Sequence, residues 1–358
     1  MQNKKNMQGM IRIVLFITLA VFLVVQVSYL MRPHLNFFVT SRALEQEQAP
    51  IDVLLIGGSS TFVFWSPLLA YQEYGISSFD YSDSAMAISL MKGLIEQSRS
   101  ACTPKLYVID IRAFENAERQ PDVYTEGCFR IYSDVYPYSI KRHQLIHYAS
   151  QFKNFQAQEK TLYWDLLYYH DQWRNKKKND WVQTSDGIFK GQYMGASGFE
   201  PVELNAYTDC TARKPLSENT EKVLSDLMDY VEENNLPVLF LLNAYSFPDA
   251  DMRATFNSVF DRLQERGMPC LDTNLYYQEM GLDGHTDYYN RDHVNAFGCE
   301  KYTKWLGKWL KEHYALADHR GEEAFEPWNQ EAIQFNAAWD ALKQYYTKLI
   351  KEAATPNE

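Results

Sequence analysis

The chain has 358 residues, of which 46% are hydrophobic, so it is long enough to bury a sizeable core. Its net charge of -11 and its pI of about 5.3 argue against sequence-independent binding of nucleic acid or of strongly anionic polymers. Aromatic residues make up 15% of the chain, with 25 Tyr and 8 Trp, which suits a packed core and also a sugar-binding cleft. The composition therefore indicates a globular protein that does not bind nucleic acid.

The amino-terminal region has the pattern of a membrane anchor. The first twelve residues carry Lys4, Lys5 and Arg12 and no acid, and residues 13–31 are uncharged, apolar and long enough to cross a bilayer. A cleavable signal peptide begins in the same way, but the length of the run and the lack of an A-x-A-like site favour an uncleaved anchor. The positive-inside rule predicts a cytoplasmic amino terminus and an extracytoplasmic domain. We therefore expect a tail and anchor at 1–35 and a polar linker at 36–50.

The stretch from Asp52 to Thr61 reads DVLLIGGSST and predicts a strand that ends in a tight turn. Its apolar run stops abruptly at Gly57-Gly58. In an open α/β sheet, ligands bind outside the carboxyl ends of the strands, so Ser59 and Ser60 stand where chemistry is usually done. A serine at such a position needs a base to activate it.

The rest of the chain alternates between helical and strand patterns, which predicts an α/β domain with a central parallel sheet. Predicted helices cover 67–74, 85–98, 221–234, 249–267, 295–314 and 327–351, and later predicted strands cover 76–81, 105–111, 236–242 and 268–271. The domain is expected at 51–318. An insertion at about 115–215, with a helical stretch at 162–173, would cover the active edge of the sheet. A helical extension follows at 319–358.

The five cysteines are Cys102, Cys128, Cys210, Cys270 and Cys299, and they form no CxxC or Cys/His cluster. We therefore expect no metal site and no cofactor. One or two disulfides and isolated buried thiols both remain open.

A second polar stretch, Asp287 to Gly298, reads DYYNRDHVNAFG and contains His293. With the Gly-Ser-Ser turn and the alternating α/β units, it gives a pattern over residues 50 to 315 that resembles the SGNH (GDSL-like) hydrolase superfamily. The resemblance implies a three-layer sandwich in which Ser60 is the nucleophile and His293 is the general base. It also implies an oxyanion hole near Ser82 to Ser84.

The chain departs from that family at two points. Asn290 stands where the family has the aspartate that orients the histidine, and the analogous change in a serine-protease triad costs about 10⁴ in rate. Asp287 or Asp292 are alternative orienting acids, and a backbone carbonyl is a third possibility. The family's Gly-x-Asn-Asp block is missing after Ile111, which leaves Asn116 and Asn243 as candidate oxyanion or pocket donors.

The resemblance implies an esterase or O-acyltransferase that acts on an acylated carbohydrate or another ester. The anchor also resembles extracytoplasmic SGNH-like proteins of the DltD and alginate-acetylation type, which modify envelope polymers beside a membrane-bound O-acyltransferase. The acidic chain favours a neutral or acetylated glycan over teichoic acid. The alternatives are a degenerate domain that binds glycan without turnover, and a scaffold for a membrane complex.

Overall fold

The computed structural model describes residues 2–32, 36–115, 126–152, 159–171, 174, 188–195, 197–204 and 207–354. The chain forms two compact units. The smaller unit consists of Met1–Leu35 and Ala157–Thr184, and the larger consists of Asn36–Gln156 and Ser185–Glu358.

Helices and strands alternate along most of the larger unit. The described helices are α1 (Gln2–Met31), α2 (Asn36–Gln46), α3 (Ser59–Phe64), α4 (Pro67–Tyr74), α5 (Met91–Ser98), α6 (Glu126–Ser133), α7 (Ile140–Ser150), α8 (Glu159–Tyr163), α9 (Asp165–Tyr169), α10 (Glu218–Glu233), α11 (Ala250–Glu265), α12 (Tyr277–Met280), α13 (Ala296–His313) and α14 (Glu326–Ala354). The described strands are β1 (Val53–Gly57), β2 (Ser78–Ser82), β3 (Leu106–Asp110), β4 (Ile188–Phe189), β5 (Gln192–Tyr193), β6 (Val238–Leu242), β7 (Cys270–Asp272), β8 (Tyr288–Asn290) and β9 (His293–Val294).

Five of these strands form one parallel sheet in the order β2-β1-β3-β6-β7. Every residue of β1, β3 and β6 is buried. A parallel sheet covered on both faces explains why these strands read as continuous apolar runs in the sequence. The predicted α/β class with a central parallel sheet is confirmed.

The strand order reverses direction at β1. Helices α3 and α4 connect β1 to β2 at one edge, whereas α5, α10 and α11 lie on the connections that lead through β3 and β6 to β7 at the other edge. Because such crossovers are right-handed, the two groups of helices lie on opposite faces of the sheet. Helix α13 packs on α3 and α4 and joins their face. The reversal makes the carboxyl ends of β1 and β3 the natural position for a ligand site.

The two ends of the larger unit are more integrated than the sequence suggests. Residues 36–50, expected as a linker, include α2, which packs on β2 and buries Phe37 and Leu44. These two side chains lie seven residues apart and therefore share one helix face. At the other end, α14 packs on α4 and α13, and buries Trp328 and Phe335. The expected extension is thus part of the same core.

The expected insertion is divided between the two units, since 157–184 groups with the amino-terminal segment. Its predicted helix at 162–173 is two short helices, α8 and α9, which are separated at Trp164; residues 172–173 lie outside the described residues. All five cysteines fall within the described residues, and they form no disulfide there.

Helix α1 agrees with the expected anchor in length and composition. Its segment Asn6–Met31 has a mean hydropathy of 2.6, and none of its most apolar part is buried. One helix near the amino terminus is therefore long and apolar enough to cross a membrane.

Candidate active site

The turn after β1 brings the chain into close contact with the end of β3. A Cβ atom on Gly57 would lie 2.0 Å from Thr61 Oγ1 and 2.6 Å from the Cβ of Asp110. Only glycine fits at such a close approach. Helix α3 begins two residues later, at Ser59, so its first turn lies directly over the switch point of the sheet.

Ser59 forms a hydrogen bond with the histidine that the sequence predicts as the base. Its Oγ lies 2.7 Å from Nε2 of His293. His293 begins β9 and is paired with Asn290 of β8 in an antiparallel hairpin. Within the hairpin, Oδ1 of Asn290 lies 2.9 Å from Nδ1 of His293 and accepts a hydrogen bond of 2.9 Å from the backbone N–H of Asp292. Asn290 therefore shapes the turn and orients the ring.

These contacts fix the tautomer of the imidazole. The N–H of Asp292 must meet an oxygen, which assigns Oδ1 of Asn290 to the side that faces the ring. Nδ1 of His293 then carries the proton and donates a hydrogen bond to Oδ1 of Asn290. Nε2 is left with its lone pair directed at the hydroxyl of Ser59, as a general base requires.

The surroundings of His293 also keep the ring neutral. Burial, together with the positive charge of Arg112, lowers the pKa of His293 from its ordinary 6.5 to about 4. Asp292 opposes this effect, but its Oδ1 lies 2.8 Å from Nη2 of Arg112, so much of its charge is compensated. At neutral pH the imidazole is therefore uncharged and able to accept a proton.

Ser60, the expected nucleophile, does not contact His293. Its side chain is 2% exposed, and its Oγ donates to Oδ2 of Asp110 at the end of β3. Successive residues of a helix point about 100° apart. Because Ser59 faces the hairpin, the side chain of Ser60 points toward the sheet instead. The expected pairing of Ser60 with His293 is corrected to a pairing of Ser59 with His293.

Asp110 anchors the underside of this turn. Besides Ser60, its Oδ2 accepts from Thr61 Oγ1 at 3.2 Å and from Nδ2 of Asn243 at 3.1 Å, and its Oδ1 accepts from the N–H of Arg112 at 2.9 Å. Burial raises the pKa of the Asp110 carboxyl, while the donated hydrogen bonds oppose this increase. The buried carboxyl thus ties the turn after β1 to the ends of β3 and β6.

The residues expected as oxyanion or pocket donors do not occupy the positions that the sequence analysis predicts. Ser82 is buried, and Ser84 lines the cleft, but the N–H of Ser84 donates to its neighbour Asp83 at 2.6 Å. Ala85, the next residue, lines the cleft with a left-handed φ of 51°. Asn243 is buried below the turn because its amide is bonded to Asp110 and to the hydroxyl of Tyr302. Asn116 lies outside the described residues.

Neither of the two alternative acids orients His293. The Oδ2 of Asp287 accepts from the N–H of Asp283 at 2.8 Å and from Nζ of Lys301 at 2.7 Å, which stabilises the loop before the hairpin. Asp292 pairs instead with Arg112 and with Nε of Arg291, each at 2.8 Å. Burial disfavours its charge, but the two guanidinium groups hold the pKa of Asp292 below its usual range.

The Ser59–His293 pair opens into a cleft of about 550 Å³. Its lining includes three large polar or charged side chains that the sequence analysis does not name as site residues: Arg112, Tyr193 and Tyr289. Tyr289 stacks on His293 with ring centroids 5.3 Å apart, and Tyr193 is 44% exposed. Arg112 carried a usable signal, since it directly follows a strand that ends at the same edge as β1. Tyr193 carried none, because it lies in a two-residue strand of the irregular region.

Among the described residues, no group of three or more His, Cys, Asp or Glu side chains could hold a metal ion. No protein-family model matches the chain, and no curated protein has a significantly similar sequence.

Proposed function

We propose that the protein is a serine esterase or O-acyltransferase with an SGNH-like fold, and that its nucleophile is Ser59. The observation that carries this proposal is the continuous line of contacts from Ser59 Oγ through the neutral ring of His293 to Asn290, open to a cleft. A hydroxyl, a base that can accept its proton and a group that orients the base are the parts that nucleophilic acyl transfer requires.

The reaction follows from this arrangement. Nε2 of His293 takes the proton from Ser59 Oγ as the oxygen attacks the carbonyl carbon of an ester. The tetrahedral intermediate collapses when His293 returns that proton to the departing alcohol oxygen, which leaves the acyl group on Ser59. Water or a sugar hydroxyl then gives a proton to His293 and attacks the acyl carbon. The bond between the acyl carbon and Ser59 Oγ breaks as His293 returns that proton to Oγ, which regenerates the serine. Water yields an esterase and a sugar hydroxyl yields an acyltransferase.

The negative charge that develops on the carbonyl oxygen needs donors at the cleft wall. The N–H of Ser59 lies in the first turn of α3, where backbone N–H groups have no intrahelical partner. Ala85 lines the same wall. It directly follows Ser84, whose own N–H is bonded to Asp83. We assign oxyanion stabilisation to the N–H groups of Ser59 and Ala85, with support from the positive charge of Arg112.

The substrate that we propose is an acylated carbohydrate of the cell envelope, placed outside the membrane. The basic residues that precede the apolar part of α1 favour a cytoplasmic amino terminus. Tyr193 offers an exposed aromatic ring at the cleft, which suits contact with a sugar. A membrane-bound O-acyltransferase beside α1 would be the source of acyl groups if the reaction is a transfer.

Two neighbouring serines allow a sharp test of this proposal. Full-length protein in detergent should be labelled by a fluorophosphonate probe and should hydrolyse p-nitrophenyl acetate. Ser59→Ala should abolish both signals, and His293→Gln should lower the hydrolysis rate by about 10²–10⁴. Ser60→Ala is the matched control and should still be labelled, because Ser60 Oγ faces Asp110 and not the imidazole.

One observation favours a second function. Asn290 brings no negative charge to the ring, which fits a degenerate domain that binds glycan without turnover. The same experiment separates the two functions. If wild-type protein is neither labelled nor active, the enzyme proposal is rejected, whereas labelling lost only in Ser60→Ala would reject Ser59 as the nucleophile.

A further inference from the structure

One short helix of the smaller unit, α9, packs on α1, and α8 packs on α9. Leu162 of α8 and Asp165 of α9 are fully buried, and Tyr169 of α9 is buried as well. At the carboxyl-terminal end of α1, Ser28 and Arg32, the residue that follows the helix, are also buried. Helix α9 is therefore held against α1, and α8 is held through its packing on α9.

A buried ion pair secures this contact. Nε of Arg32 donates to Oδ2 of Asp165 at 2.6 Å, and the two side chains are 7% and 0% exposed. Removing either partner would leave a buried charge without its counterion, which strongly destabilises such a contact. The pair therefore sets the position of α9 relative to the end of α1.

The opposite side of this helix pair presents apolar side chains outward. Trp164, at the junction of α8 and α9, and Leu167 are each 61% exposed. They lie three residues apart and so point to neighbouring parts of the surface. Exposed tryptophan and leucine side chains held together on a packed surface are typical of a site that contacts a partner or a membrane.

The position of this surface along α1 identifies its partner. The uncharged run of α1 covers 13–31, about the 20 residues that cross the hydrocarbon region, so Arg32 comes at the boundary of the bilayer. Because Asp165 at the start of α9 pairs with Arg32, α9 and the adjoining Trp164 are held at the depth of the lipid headgroups. Tryptophan and tyrosine are enriched at that depth, and exposed apolar side chains there enter the boundary between headgroups and acyl chains.

We infer that residues 159–169 form a second membrane contact, in which Trp164 and Leu167 insert into the lipid interface beside α1. The Arg32–Asp165 pair is the positioning element of this contact, since it neutralises two charges that would otherwise meet the boundary of the hydrocarbon. The inference rests on the proposed anchorage by α1, and it is independent of the chemistry at Ser59.

Photocrosslinking in lipid nanodiscs tests this inference on the full-length protein. Benzoylphenylalanine replaces, one at a time, Trp164, Leu167, Phe16 within the apolar run, and Ile140, an exposed apolar side chain of the larger unit. Lipid adducts are expected at Phe16, Trp164 and Leu167, at levels above that at Ile140. Adducts at Phe16 but not at Trp164 and Leu167 would overturn the interfacial contact and leave the anchorage intact. Absence of adducts at Phe16 as well would reject the anchorage itself.

A second measurement leaves the native side chain in place. Brominated lipids should quench part of the tryptophan fluorescence of the wild-type protein, and Trp164→Phe should lose that quenched component. Arg32→Gln should also reduce the lipid adduct at position 164 without changing that at position 16, because it removes the ion pair and leaves the apolar run untouched. A protein-to-protein adduct at position 164 in place of a lipid adduct would count against the inference.

Discussion

Asn290 holds the imidazole of His293 through an amide oxygen and not through a carboxylate. The amide fixes the same tautomer that an aspartate would fix, but it does not stabilise the imidazolium form. Burial and Arg112 favour the neutral ring as well. His293 thus stays unprotonated in moderately acidic solution. When it accepts a proton, Asn290 stabilises the resulting positive charge less than an aspartate would.

This balance predicts an unusual pH profile. Since the proposed reaction needs neutral His293 in the free protein, kcat/KM should fall only as the pH drops through about 4. Asn290→Asp adds a negative charge that favours the imidazolium, which raises the pKa of His293 and moves the acidic limb to higher pH. The measurement is the pH dependence of ester hydrolysis for the two proteins.

Asp287→Asn is the matched control for this prediction. Asp287 belongs to the same loop, but its carboxylate bonds to Lys301 and to the backbone of Asp283 and not to the ring. The control should keep the acidic limb of the wild type even if it is less stable. An acidic limb of Asn290→Asp at or below that of the wild type would contradict the assigned role of Asn290.

The same lowered pKa also predicts how folding stability depends on pH. A histidine with a folded-state pKa below its unfolded value of 6.5 contributes full stability above that pH. This contribution is lost as the pH falls toward about 4, by about 1.4 kcal/mol for each pKa unit of the difference. The free energy of unfolding, measured with denaturant, should therefore fall more on acidification for the wild type than for His293→Gln. Parallel curves for the two proteins would show that the ring is not buried in its neutral form.

The turn between β1 and α3 determines which serine contacts His293. Its two glycines are adjacent but have different surroundings. A Cβ on Gly57 would overlap Thr61 and Asp110, whereas a Cβ on Gly58 would find its nearest atom, the N of Met86, at 3.8 Å. Gly58 also has an ordinary extended backbone with φ -89°. Of the two positions, only Gly57 must be glycine, because Thr61 and Asp110 lie too close to it for a side chain.

We predict that Gly57→Ala lowers the free energy of unfolding by about 1–3 kcal/mol, the usual effect of overpacking in a core. It should also slow fluorophosphonate labelling, since Thr61 and Asp110 can make room only by moving the turn that carries Ser59. Chemical denaturation and labelling rates check this. Gly58→Ala is the control and should keep both properties near those of the wild type. Equal behaviour of the two variants would contradict the geometry of the turn.

The sequence predicted the sheet well but resolved its site only in part. The strand patterns at 105–111 and 236–242 correspond to β3 and β6, because strands covered on both faces must be continuously apolar. The choice between Ser59 and Ser60 depends on where α3 begins, and a shift of one residue turns a side chain by about 100°. No apolar pattern specifies that boundary, so the sequence does not show that Ser59, and not Ser60, contacts His293.

The features of the fold that the sequence does not predict depend on contacts between residues far apart in the chain. The sequence offers Asn290 as a residue that could hold His293, but the hairpin of β8 and β9 that pairs them is too short for an alternation signal. Residues 36–50 looked like a linker because α2 is largely polar, and only its packing on β2 shows its buried face. The division of the insertion between two units depends on contacts between residues more than a hundred positions apart, such as Arg32 and Asp165.

The carboxyl-terminal helix links the outer shell of the larger unit to the candidate site. Tyr346 of α14 is 1% exposed and stacks on Tyr289, with centroids 6.4 Å apart. Tyr289 in turn stacks on His293. The hydroxyl of Tyr346 also accepts from the N–H of Ser197, a residue of the cleft wall. The ring of the base is thus supported from behind by a helix far along the chain.

We predict that Tyr346→Ala lowers the free energy of unfolding by about 3 kcal/mol, as removal of a buried aromatic ring does, and slows labelling of Ser59. Tyr345→Ala is the matched control. Tyr345 is 41% exposed and contacts the same loop through one hydrogen bond to the carbonyl of Ser197, so its loss should cost under about 1 kcal/mol. Thermal unfolding and labelling rates measure both effects. Tyr346→Phe should retain the labelling rate because it keeps the stacked ring. If Tyr346→Ala loses stability but labels at the wild-type rate, α14 supports the fold without positioning His293.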